Sequence, residues 1–406
     1  MTGGDRPELR RVTEDEWEDF TRYWVRVFHH VPRDEIIRHR REHAHPSRFL
    51  TATDDGGHYV ASAGAYEFDL SLPGGSRIDC AGVSAVTVRT DHRRRGLLRA
   101  MMAQLHRDAA EHADPVAALW ATEAPIYGRF GYGAAVPGTH FSIRQSQLRG
   151  LAGGDASRVR ELARDDYLAA GPAVHEQVRD GRPGMLARSA SWWLAGTEDE
   201  EAAEKRPLRY AAVGDRGVVR FMVHEGTWDH DVPDATVTVK DLLAVDAEAE
   251  ADLWAYVASI DLVTTVEAEV RPVDDPLPWR ILDRVQLRRR AAPPLFVRLL
   301  DVPTALEARS YDASDRLVLE VHDDQHADND RRWSLEAGPE GAEVTPTDDA
   351  ADVELSVTDL ASLWLGGYSP LTLEAAGRIE IASHDRAQRL HRIFATDRAP
   401  WCPLDF

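Results

Sequence analysis

The chain has 406 residues, enough for two to four domains, and its 43% hydrophobic content can give each a core. A formal net charge of −21 sets it against nucleic acid and anionic membranes and favours cationic ligands. Its two cysteines, Cys80 and Cys402, are too few for a disulfide framework. The polar start Met1–Arg11 carries no apolar signal core, and no apolar run approaches the length of a membrane span, so the expectation is a cytoplasmic protein. All but Lys205 and Lys240 of the 48 basic residues are arginine, which speaks to a GC-rich origin rather than to activity.

The first region runs from Met1 to about Gln147. Thr13, Glu14 and Glu16 read as a helix start, and Trp17, Phe20, Tyr23, Trp24 and Phe28 follow at helical spacing. Strands are predicted at 48–53, 57–68 and 79–88, with Pro73-Gly74-Gly75 as a turn between the last two. A helix over about 95–113 carries Leu97, Leu98, Met101, Met102, Leu105 and Ala109 on one side. A short apolar strand over 115–123, a Gly-punctuated segment Tyr127–Tyr132 and a strand over 140–144 complete the region.

The second region, about 148–290, reads as helices at 165–179 and 185–194, then strands at 217–224 and 236–245. A helix over 247–259 opens on Asp246 as its N-cap, and a strand over 262–270 follows. Its strand–helix–strand order repeats that of residues 83–123 without an Arg-rich Gly turn, which hints at an internal duplicate with no phosphate cradle. Ala291-Ala292-Pro293-Pro294 reads as a linker to the third region. Strands are expected there at 316–322, 332–336 and 351–357, helices at 357–365 and 384–394, and a stop at Gly366-Gly367. The end, Ala399-Pro-Trp-Cys-Pro-Leu-Asp-Phe406, is apolar and braced by proline, where most termini are polar and frayed. It is built to dock.

The segment Val83–Arg99 carries the chemistry. A β-rich strand runs into Arg93-Arg94-Arg95-Gly96 and then into an amphipathic helix. A helix N-terminus leaves backbone N–H groups unpaired and positive, a glycine lets the backbone come close, and arginines add charge-assisted hydrogen bonds, so this arrangement suits phosphate. His29-His30, His43-Ala44-His45 and His106 lack the spacing of a metal site, so no metal is expected. The sequence has no Gly-x-Ser-x-Gly elbow and no Walker-type loop.

The segment resembles motif A of the GNAT N-acetyltransferases, Arg/Gln-x-x-Gly-x-Gly/Ala, with Arg93 first, Gly96 fourth and Leu98 departing at the sixth place. Together with Pro115–Leu119, Ile126–Gly133 and the terminal phenylalanine, it is similar to the Eis (enhanced intracellular survival) family, which accepts leucine there. The resemblance covers essentially the whole chain in domain order.

It implies an α/β (α+β) fold of three domains: a catalytic GNAT domain over 1–147, a GNAT-like domain without cofactor over 148–290, and a sterol-carrier-like domain over 291–406 whose tail reaches the active site. Acetyl-CoA would contact Val86, Thr87 and Val88 by backbone, then Arg94, Arg95, Gly96, Leu97, Leu98 and Arg99, then Thr122 and Glu123. Tyr127 matches the family's general acid, and the α-carboxylate of Phe406 its general base. Ala85 and Trp120 fall in the acceptor pocket, where relatives carry an aromatic and a histidine respectively, and Asp405 is a candidate contact for a cationic amine. The implied assembly is a homohexamer, and the implied acceptors are aminoglycosides and other polyamine-like cations.

These roles are chemically sound. A phenol, with a reference pKa near 10, stays protonated at neutral pH and can donate to a departing thiolate. An α-carboxylate, near 3.5, is a weak base unless burial raises it or water relays the proton. Two rivals remain: acetylation of protein lysines, and a non-catalytic carrier of lipid or another small molecule, which an open apolar tunnel in the third domain would favour.

Overall fold

The computed structural model describes residues 7–229 and 232–406, so the first six residues of the polar start lie outside the described residues. The chain divides into two compact units. One holds the chain up to Ala135 with Leu295–Thr396 and Phe406; the other holds Val136–Pro294 and Asp397–Asp405. These units cut the chain differently from the three regions read in the sequence, because two long strands belong to both.

In the first unit, α1 (Trp17–Val27) buries Trp17, Phe20, Trp24 and Val25, the face its spacing predicts. A second helix, α2 (Asp34–His43), was not foreseen, because its sequence is mostly charged and only Ile37 and His39 are buried. The strands β1 (Phe49–Thr53), β2 (Tyr59–Ser71) and β3 (Arg77–Val88) form an antiparallel meander. Helix α3 (Leu97–Glu111) then crosses to β4 (Val116–Trp120), which lies parallel to β3. Met101, Met102, Leu105 and Ala109 of α3 share one core with Ala81, Val83 and Leu119 of these strands. β5 (Gly133–Arg144) begins in this unit and enters the second after Ala135.

The second unit contains α4 (Arg164–Asp180), α5 (Ala190–Glu204), β6 (Leu208–Val213), β7 (Gly217–His224), β8 (Ala235–Ala244), α6 (Ala247–Ala258) and β9 (Val263–Arg271). Its strands lie in the order β5-β9-β8-β7-β6, with β8 and β9 parallel and joined through α6. The β3–α3–β4 arrangement therefore recurs. The predicted helix over 185–194 starts instead at Ala190. Gly184, at φ +86°, precedes it, and the Ser189 hydroxyl caps it by accepting from the Trp192 N–H. Met185 and Leu186 are buried in extended chain, so their apolar spacing mimics a helix.

The predicted linker 291–294 is the middle of a strand, β10 (Arg288–Leu299), and its two prolines fall where the strand leaves the second unit. Extended chain accommodates proline's fixed φ, and a change of partner spares the missing N–H. Leu295–Leu299 pair antiparallel with β4. Then follow α7 (Val302–Glu307), β11 (Asp315–His322), β12 (Arg331–Gly338), β13 (Gly341–Pro346), β14 (Val353–Ser356), α8 (Val357–Trp364), α9 (Pro370–Ala375), β15 (Glu380–Ile381) and α10 (His384–Phe394). The sheet order is β13-β12-β11-β14-β15. Its core is occupied by Leu360, Leu363, Trp364, Tyr311 and Phe394, with the buried Arg309 guanidinium against the rings of Tyr311 and Phe394. Among the described residues no helix is long and apolar enough to cross a membrane.

Helix α8 lies against the start of β5. A Cβ built on Gly133 would come within 2.0 Å of the Thr358 carbonyl oxygen, and Thr358 Oγ1 donates to the Gly128 carbonyl. Backbone cannot step aside as a flexible side chain can. Gly133→Ala should therefore cost about 1–3 kcal/mol, the range for overpacking, as measured by chemical denaturation; an unchanged midpoint would contradict this packing.

Candidate active site

The site begins with a fault in the sheet. Ser62 pairs with Thr87 and Gly64 with Ser84, so Ala85 and Val86 together oppose one residue of β2. This is a β-bulge, and Ala85 takes the left-handed φ of +55° to make it. The buried Ser62 hydroxyl secures it through Ala85 O at 2.7 Å and Thr87 Oγ1 at 2.6 Å. Below the bulge, β3 pairs with β4 only over Cys80–Gly82 with Val116–Ala118. Beyond Gly82 the ladder stops while both strands continue, to Val88 and Trp120. A cleft of about 730 Å³ lies above, lined by Val86, Thr87 and Val88 from one strand and by Thr122 and Glu123 just past the other.

The cleft continues over the start of α3. Arg94, at φ +64°, and Gly96, at φ +80°, both take the left-handed region, and such alternation aims successive backbone N–H groups into one concavity. A Cβ on Gly96 would meet nothing within 4 Å, so glycine is needed there for its φ rather than for room. No side chain caps this helix end. Arg93, Arg94, Gly96, Leu97, Leu98 and Arg99 line the cleft, and Arg93, Arg94 and Arg99 are exposed. Arg95 is not among the lining residues; its guanidinium turns back to the Asp91 carbonyl at 3.3 Å. Uncapped amides, positive helix end and exposed guanidiniums make a donor set suited to a polyanion such as a pyrophosphate.

Tyr127 closes the cleft. It sits between two short 3₁₀ turns, Ala124–Ile126 and Gly128–Phe130, and its carbonyl accepts from the N–H groups of Phe130 and Tyr132. Its ring is buried and stands edge-on to Tyr132, centroids 6.1 Å apart. Burial, with a smaller push from Glu123, raises its phenol to about 12. The loop rests on a buried cation. A Cβ on Gly131, at φ +83°, would lie 2.1 Å from Arg298 Nη1, and Arg298 is held by Asp323 at 2.5 Å.

The chain end also reaches this unit. The Phe406 ring packs on Phe68, centroids 4.8 Å apart, and against Gly82, the last paired residue of β3. Trp120 pairs with Leu295 of β10, Ala85 is the buried bulge residue, and neither lines the cleft. Asp405 is exposed and belongs to the second unit.

Sequence reasoning missed Val27, Phe28 and His29, which line the cleft from the end of α1, because an apolar helix face signals a core and not a rim. It missed Arg298 and Gly82 as well: an isolated Arg in a strand and a lone Gly carry no local signature.

Comparison with known proteins agrees with this geometry. Residues 8–135 and 184–299 each match an acetyltransferase (GNAT) domain family, and 302–403 match the sterol carrier protein domain. An uncharacterized N-acetyltransferase of Streptomyces coelicolor is 35% identical over 98% of this chain and 99% of its own length. The N-acetyltransferase Eis of Mycobacterium tuberculosis is 35% identical over 84% of both chains. The crystal structure of Eis1 from Mycobacterium abscessus superposes with a TM-score of 0.87 at 28% identity, covering 98% of this chain and all of that one. A GCN5-related N-acetyltransferase from Anabaena variabilis shares the fold, with a TM-score of 0.85 at 19% identity. With two GNAT domains, which imply use of an acyl-CoA, followed by a sterol carrier protein domain, the chain belongs to the Eis family of GNAT N-acetyltransferases.

Proposed function

We propose that this N-acetyltransferase moves the acetyl group of acetyl-CoA to an amine of a small cationic acceptor, aminoglycosides first, within the first domain, taken as residues 1–147. The observation that carries the reading is the single cleft joining the parted strands, the uncapped start of α3 and Tyr127. Val86–Val88, Arg94, Gly96, Leu97, Leu98, Arg99, Thr122 and Glu123 would hold the cofactor, with Arg94, Arg99 and the helix amides on its phosphates and Arg95 bracing the turn through Asp91. Bound acetyl-CoA supplies an acetyl thioester ready for direct attack by a neutral amine.

Within this reading the chain's own groups position, polarise and move protons. The Val86 N–H donates to the thioester carbonyl oxygen, where charge develops. The Phe406 carboxylate accepts the proton the amine loses as the N–C bond forms. Tyr127, kept protonated by burial, donates its proton to sulfur as the C–S bond breaks. The overall charge of −21, with Asp405 as a candidate contact, draws in a cation. A lipid-carrier role is disfavoured because Trp364, Tyr311 and Phe394 fill the core of the third domain. The assembly is proposed to be a homohexamer in the cytoplasm; sedimentation at micromolar concentration should give six copies, and a monomer would remove that part.

The decisive assay is thiol release from acetyl-CoA across aminoglycosides, spermidine and lysine peptides. Turnover should be greatest with aminoglycosides. Preference for lysine peptides would make the enzyme a protein acetyltransferase, and no release with any amine would end the proposal.

Gly96→Asp places a carboxylate where phosphate is expected and forces a strained φ. Acetyl-CoA affinity by calorimetry should fall at least about tenfold, or about 1.4 kcal/mol. Unchanged affinity in a folded variant would remove the cofactor assignment.

Tyr127→Phe, and separately a few residues appended after Phe406, should each lower kcat by about 10²–10⁴-fold while leaving acetyl-CoA affinity within twofold. With the phenol held to about 12, activity should show no falling limb near pH 10, because the acid keeps its proton until higher pH. A limb centred near 10 that vanishes in Tyr127→Phe would show an exposed rather than a buried acid. Losses under threefold in both variants would sink the acid–base pair.

A further inference from the structure

The second unit repeats the strand–helix–strand frame of the first, yet different groups occupy its two critical places. At the start of α6 the Asp246 carboxylate accepts from the N–H groups of Glu248 and Ala249, and Arg216 grips Asp246 at 2.7 Å and Glu248 at 3.0 Å. The amides left uncapped on α3 are spoken for here.

Between the strands, β8 and β9 pair from Ala235 with Val263 to Val239 with Ala268, and then part. Arg271 fills the gap. Its guanidinium donates to the Leu242 carbonyl, Asp275 and Glu250, each at 2.7 Å, and it is fully enclosed. Glu250 and Trp254 meet it from α6, with Trp254 at 5.7 Å. Trp401 of the chain's own tail meets it as well, its ring 5.2 Å from the guanidinium and its indole N–H donating to the Val270 carbonyl at 2.6 Å.

The neighbouring tail residues are held as closely. Arg182 donates to Ala399 O at 2.8 Å, Asp274 accepts from Ala399 N, and the Trp401 N–H donates to Pro183 O at 2.9 Å. Pro400 and Trp401 pass within 3.4 Å of a Cβ built on Gly184, whose φ of +86° already selects glycine. Trp401, Cys402 and Leu404 are buried.

We propose that the second cleft is a receptor for the chain's own residues 399–404 in place of a nucleotide cofactor. Arg271 and Trp401 are positioning residues: they fix the tail five residues before its terminal Phe406. An extended Pro-Trp-Cys-Pro segment is a suitable ligand, because two prolines limit the entropy lost on docking and the indole supplies a flat face for a buried arginine. The seat stands on its own contacts. Only its consequence for turnover rests on the proposed role of the Phe406 carboxylate.

The test uses the full-length chain carrying Trp401→Ala, with a synthetic peptide of residues 397–406 supplied as free acid and as C-terminal amide. Hydrogen exchange at residues 401–404 should speed up at least tenfold, kcat should fall at least tenfold, and acetyl-CoA affinity should stay within twofold. Arg271→Met should reproduce all three. Trp401→Phe, which keeps a ring but loses the bond to Val270, should fall between and serves if Trp401→Ala fails to fold. Tethering supplies an effective concentration of the order of millimolar, so the peptide is titrated into that range. Both peptides should bind, and only the free acid should restore kcat. Binding without rescue by the acid would uphold the seat and overturn the carboxylate's role. Failure of either peptide to bind, or tail protection unchanged in Trp401→Ala, would overturn the seat.

Discussion

The end of pairing between β3 and β4 at Gly82 and Ala118 is the constraint on which the rest of the site depends. Two parallel strands that stayed paired to their ends would leave no room between them. The bulge at Ala85 costs strain in a non-glycine residue at positive φ, offset by the buried Ser62 hydroxyl, which donates to the Ala85 carbonyl and accepts from the Thr87 hydroxyl. From this fault follow the cleft walls at Val86–Val88 and at Thr122 and Glu123, the exposed start of α3, and a shelf at Gly82, where a Cβ would lie 2.4 Å from the Phe68 ring on which Phe406 packs.

The duplicated frame shows how little of the backbone must change to change its use. At the start of α3 a glycine at positive φ leaves the amides open and the nearby charges positive. At the start of α6 an aspartate satisfies two amides itself, and Glu248 and Glu250 add negative charge to the same turn. A phosphate entering the second position would face carboxylates in place of free N–H donors. The fold is common to both halves, and the chemistry resides in the two or three residues at each helix start.

The third domain has a bearing on the first that its sterol-carrier likeness does not suggest. Its core is filled by side chains, and its residues support the Tyr127 loop instead. Thr358 bonds to Gly128, the backbone of α8 abuts Gly133, and Asp323 fixes the buried Arg298 beneath Gly131. A buried guanidinium without its carboxylate would be expensive, so Arg298 and Asp323 belong together as a pair. Gly131 and Gly133 are thus explained by what lies under them.

Much of this was legible in the sequence wherever the physics is local. The amphipathic spacing of α1 and α3, the Asp246 cap, the run from strand through Arg-Arg-Arg-Gly into helix, and the docking character of the tail all follow from neighbours a few residues apart. The sequence by itself therefore determined the fold type, the family and the position of the arginine-glycine turn that opens α3. Tertiary structure alone decided the bulge at Ala85, which needs Ser62 from another strand. It decided the sharing of β5 and β10 between units, which turned an apparent linker into a strand. It decided the seating of Trp401 on Arg271, 130 positions earlier in the chain. Register between distant strands and the partner of a buried charge are set by packing across the whole chain, and no short window of residues encodes either.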